Sequence, residues 1–62
     1  MDAPALRYRV GIILKNGKAI AKNVSTTEEA ETFVLEVAEK QGVKYYRVMD
    51  RNTREIVSKG DF

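Results

Sequence analysis

Arg7, Arg9, Lys15, Lys18 and Lys22 crowd the first 24 residues, where Asp2 is the one acid. Cations at that density suit an anionic partner, phosphate above all. Further on, Tyr45 stands two residues before Arg47. That pairing offers a ring for stacking an unpaired base and a cation for its phosphate. The acids lie elsewhere. Residues 25–41 carry Glu28, Glu29, Glu31, Glu36 and Glu39 against Lys40. The formal net charge of +2 therefore covers a basic first segment beside an acidic second one.

Catalysis has little to work with. There is no His and no Cys. No imidazole base, thiol nucleophile, disulfide or structural zinc site follows from such a composition. Ser25 and Ser58 have no activating partner visible in the sequence. Asp50 and Glu55 flank a turn, where a carboxylate pair does acid–base work or holds a hard cation; supporting the turn is the simpler role. Asp50 and Asn52 match the first two ligand positions of an EF-hand loop, but Glu55 then falls where that loop requires glycine. Gly11, Gly17, Gly42 and Gly60 are scattered and build no phosphate loop. The expectation is a protein that is not an enzyme, uses no cofactor or metal, and works by binding.

The elements that position these residues follow from periodicity. Leu6, Tyr8, Val10, Ile12 and Leu14 alternate with Arg7, Arg9, Gly11, Ile13 and Lys15, which is the period of a half-buried strand. Asn16-Gly17 ends it as a hairpin turn. A two-residue loop would set Leu14 opposite Ala19, Ile13 opposite Ile20 and Gly11 opposite Lys22. Ser25-Thr26-Thr27-Glu28-Glu29 is a helix start, with Thr26 as N-cap and Glu29 three residues on. Ala30, Phe33, Val34, Val37 and Ala38 form one apolar stripe, which leaves Leu35 outside. Gly42 is expected to end the helix in a left-handed conformation, with Val43 touching Ala38.

Val43–Met49 and Glu55–Lys59 read as a second hairpin around a four-residue loop. Asp50 is expected to bond backbone N–H groups there, and Arg54 takes a position where glycine is more usual. Either Tyr46, Val48 and Val57 or Tyr45, Met49 and Ile56 face the helix. Arg47 shares a side with the second set, and burying an unpaired Arg is costly, so the first set is expected inside. The fold class is α+β: one ββαββ domain over residues 1–62, a mostly antiparallel four-stranded sheet with a helix at 26–41 on one face. Met1–Ala5 read as a frayed terminus.

A single helix covers one face of such a sheet. The other face is the candidate site, expected to gather Arg7, Arg9, Ile13, Lys15, Lys18, Ile20, Lys22, Tyr45 and Arg47, with Met49 and Ile56. Apolar residues rimmed by charge suit a homodimer or another protein partner, the leading expectation, in a self-associating interaction or regulatory module. A chain of 62 residues gains stability from such an association. Single-stranded RNA or DNA on the same face is the alternative, and a merely solvated basic face is the bland one. The longest apolar run, Val10–Leu14, is too short to span a bilayer. With no cysteine and no signal-like segment, the expected compartment is the cytoplasm. Asn23-Val24-Ser25 matches a glycosylation sequon, a three-residue pattern common by chance.

Overall fold

The first hairpin sets the geometry of everything else. In a computed structural model describing residues 6–61, β1 (Tyr8–Leu14) and β2 (Ala19–Val24) are antiparallel, with Ile12 opposite Ile20 and Gly11 opposite Ala21. The expectation for Met1–Ala5 lies outside the described residues. The register is one residue away from that of a two-residue loop. Leu14 N–H donates to Lys18 O at 2.8 Å and Gly17 N–H to Leu14 O at 2.9 Å, leaving a three-residue loop. Gly17 has φ 91°, and Asn16 Oδ1 accepts the Lys18 N–H at 2.9 Å. This is the type I turn with a left-handed glycine bulge, which Asn-Gly suits as well as the two-residue turn.

Burial explains the choice. In the observed register Ile20 packs against the core and Val24 is buried, while Ala19 and Ala21 face outward. The two-residue register would expose the two larger side chains instead, at roughly 1.5–3 kcal/mol each.

The helix α1 (Thr27–Lys40) begins as its sequence requires. Thr26 is extended, and its hydroxyl accepts the Glu29 N–H at 3.1 Å. Ala30, Val34 and Val37 are buried, Phe33 and Ala38 pack beside them, and Leu35 is 60% exposed. The helix end differs from expectation. Gln41 caps it in an extended conformation, its N–H donating to Val37 O, and Gly42 has no positive φ. Gly42 is instead covered by Lys15: a Cβ there would lie 2.8 Å from Lys15 Cδ.

β3 (Val43–Asp50) pairs with β1, and β4 (Ile56–Asp61) with β3, all antiparallel, giving the order β2-β1-β3-β4. The architecture is thus ββαββ, a small α+β fold. Val10, Ile12, Leu14, Val43 and Val48 meet the helix from the two central strands. Tyr46 also packs inward, and its ring lies over Gly60, where a Cβ would come within 3.0 Å of Cε1. Val57 does not join them. A bulge opposite Met49 turns it out, 47% exposed, so Ser58 and Gly60 take the inward positions. No helix among the described residues is long and apolar enough to cross a membrane.

The second turn carries the expected strain. Arg54 adopts φ 65°, and its N–H donates to Asp50 O at 2.6 Å. A left-handed conformation costs a residue with a Cβ roughly 1–2 kcal/mol, and glycine's extra backbone entropy offsets only part of that gain. Arg54→Gly is therefore expected to stabilise the domain by about 0.5–1 kcal/mol. A urea titration should show a higher midpoint at unchanged slope.

Candidate functional site

The face away from the helix carries three rows across the sheet, read from β2 to β4. The first is Ala19, Ile13, Tyr45 and Asp61; the second Ala21, Gly11, Arg47 and Lys59; the third Asn23, Arg9, Met49 and Ile56. Arg9, Arg47 and Lys59 are exposed, and Tyr45 and Met49 are half-buried. Arg47 stands directly opposite Lys59, and Arg9 is diagonal to Arg47. Among the described residues no carboxylate pairs with any of the three cations. Like charges directly opposite on adjacent strands repel, so Arg47 and Lys59 destabilise one another, with Asp61 in the next row as the acid nearest them in register.

Small residues shape its middle. Gly11, Ala19 and Ala21 floor a shallow trough of about 420 Å3, walled by Arg9, Ile13, Tyr45 and Arg47. The Arg47 stem lies across Gly11, where a Cβ would sit 3.9 Å from its Cγ and Nε. A trough this open does not enclose a small molecule, but it leaves room for a flat group against Tyr45.

Of the residues expected here, Arg9, Ile13, Tyr45 and Arg47 do come together, with Met49 and Ile56 in the third row beside them. The other five do not. The one-residue register shift puts Ile20 and Lys22 on the helix side, where Ile12 and Val10 are their partners. Lys22 Nζ lies 5.0 Å from the centre of the Phe33 ring, in a cleft also lined by Glu28, Glu29 and Glu36. Lys18 lies in the turn, outside β2, where its carbonyl accepts the Leu14 N–H. Lys15 lies beyond the end of β1, its N–H bonded to Gly42 O. Lys59, Ala19 and Ala21 belong to the face although sequence reasoning does not place them there. The alternation of Ala19 and Ala21 with Ile20 is the signal that could have found the two alanines.

Arg7 is committed elsewhere. Its Nε and Nη2 donate to Asp50 Oδ2 at 3.2 and 3.0 Å, across 43 residues of sequence. Asp50 is buried, and its Oδ1 accepts the Asn52 N–H at 2.8 Å with a longer hydrogen bond from Thr53. Arg51 adds two bonds to the same end of β1: its N–H to Arg7 O and its Nη1 to Leu6 O. Asp50 thus holds the second turn and ties it to the first strand. Its side chain is in use there, and among the described residues no three acids converge as a metal cage.

These bonds to the charged carboxylate, that from Arg7 first, lower the Asp50 pKa from its ordinary 3.8, against the opposing effect of burial. The folded state therefore takes up this proton at lower pH than the unfolded chain. The resulting stability is fully present above about pH 4 and is lost as pH falls through the lowered value. Thermal melts between about pH 5 and about pH 2 should show a steep acid loss in the native protein. Asp50→Asn should melt lower at the upper end and lose less on acidification. Parallel curves would show that the ion pair does not stabilise the fold.

No protein-family model, curated protein or solved structure matches this chain.

Proposed function

We propose that this is a non-enzymatic binding domain whose uncovered sheet face docks nucleic acid. The observation that carries this reading is the set of three exposed cations, Arg9, Arg47 and Lys59, two of them directly opposed and none paired with a carboxylate among the described residues. A phosphate lying between opposed cations converts their repulsion into attraction. The trough beside them has Tyr45 as one wall, which suits the aromatic face of a base. The proposed compartment is the cytoplasm, on the strength of a cysteine-free chain.

Self-association is the second reading. It is supported by Ile13 at 37% and Ile56 at 44% exposure on the same face. A twofold interface through this face would press Arg47 and Lys59 of one copy toward the same cations of the other, and desolvating unpaired charge is costly. Nucleic acid meets the charge on this face directly, which places it first.

Fluorescence anisotropy with labelled oligonucleotides at about 50 and 200 mM salt tests the choice, alongside mass by sedimentation. Three phosphate contacts predict an affinity falling roughly twentyfold over that interval for a single strand and roughly fortyfold for a duplex. Absence of binding, together with a dimer mass, would move the function to self-association.

A further inference from the structure

We infer that the nucleic acid taken on this face is single-stranded, with a base stacked on Tyr45 above the Gly11–Ala19–Ala21 floor. This rests on the nucleic-acid reading and narrows it. The cations run obliquely over the second and third rows, from Arg9 on β1 through Arg47 on β3 to Lys59 on β4. Tyr45 lies in the first row, one pleat away from Arg47 on the same strand. The face is therefore polarised, with a phosphate track on one side and a stacking surface on the other.

A duplex does not match that layout. Its bases lie at the bottom of grooves, and the major groove is about 8.5 Å deep. The helix α1 packs on the opposite side of the sheet, and its exposed residues include Glu28, Glu31 and Glu39. A flat face meets only the phosphate ridges of a duplex and leaves Tyr45 without a base. An unpaired strand can splay a base onto the ring, and residues with no side chain beyond Cβ leave the room it needs. Ala19 and Ala21 on β2 leave that room, with Ile13 between Ala19 and Tyr45 and the Arg47 stem across Gly11.

The test uses the full chain at about 50 mM salt with three probes: a labelled thymidine 12-mer, the same strand annealed to its complement, and heparin as a base-free polyanion. The single strand is expected to bind at least tenfold tighter than the duplex. Tyr45→Ala should lose about tenfold on the single strand and nothing on heparin, and Tyr45→Phe should retain native affinity. Equal affinity for single strand and duplex, with Tyr45→Ala unchanged, would overturn this inference and leave the nucleic-acid reading standing. No binding to any probe would remove both. Where Tyr45→Ala fails to fold, the Tyr45 ring-proton resonances of the native protein decide: an upfield shift on adding the single strand supports stacking, and no shift refutes it.

Discussion

Reversing Arg9 and Arg47 together to glutamate is expected to weaken oligonucleotide binding at least 100-fold at about 50 mM salt. Both side chains are exposed and bond to no carboxylate among the described residues. The double reversal therefore leaves two phosphates without a cation and adds two repulsive charges to the track. The salt dependence should flatten as well, by about one unit of slope for each phosphate no longer neutralised. The fold should survive, because Arg47→Glu places an acid opposite Lys59, a favourable cross-strand pair. An equal or slightly higher melting temperature would show that lost binding is not lost structure. Lys18→Glu with Lys22→Glu is the matched control. Lys18 lies in the turn before β2 and Lys22 on the helix side of β2, against Phe33, so binding should change less than about threefold. If the lysine pair matters and the arginine pair does not, the docking surface is on the other side of the sheet.

The contrast between those two pairs also shows where sequence reading stops. Alternation in β1, the Thr26 cap, the stripe from Ala30 to Ala38 and the strained Arg54 are local features. Each depends on residues within one element or turn, and each stands in the structure. The register of the first hairpin is different. Asn16-Gly17 serves a two-residue or a three-residue loop, and the deciding energy is the burial of Ile20 and Val24 against a helix that comes later in the chain. Lys22 misleads on this point, since it shares a face with Ile20 and Val24 and its charge argues for an open one. It satisfies both needs from an edge strand, on the helix side, with its charge over the Phe33 ring.

The candidate site was legible to the same degree. Arg9 and Ile13 keep their face because β1 parity is set by its own alternation, and Tyr45 and Arg47 keep theirs because burying Arg47 is costly. Arg7 leaves the site through Asp50, a pairing across 43 residues that no local pattern announces. Lys59 enters it through the bulge opposite Met49, which resets β4 so that Lys59 faces Arg47. A one-residue irregularity in an edge strand inverts every side chain beyond it.

Two adjacent isoleucines turn that parity into a measurement. Ile12 is fully buried between the central strands and α1, while Ile13, the next residue, is 37% exposed on the open face. Ile12→Ala is expected to cost about 2–5 kcal/mol, since the lost transfer energy is joined by a cavity that rigid neighbouring strands cannot close. A single core in a chain this short rarely supplies more than about 3–5 kcal/mol in total. The variant should therefore be largely unfolded at 25 °C, seen as loss of strand and helix circular dichroism. Ile13→Ala removes the same atoms from a half-solvated position and should cost less than about 1 kcal/mol. It should fold, and it should lower oligonucleotide affinity modestly by loosening the wall that supports Tyr45. Similar losses at the two positions would mean that the face opposite the helix is also covered, by a second copy of the chain. Melting temperatures that rise with protein concentration would identify that copy directly.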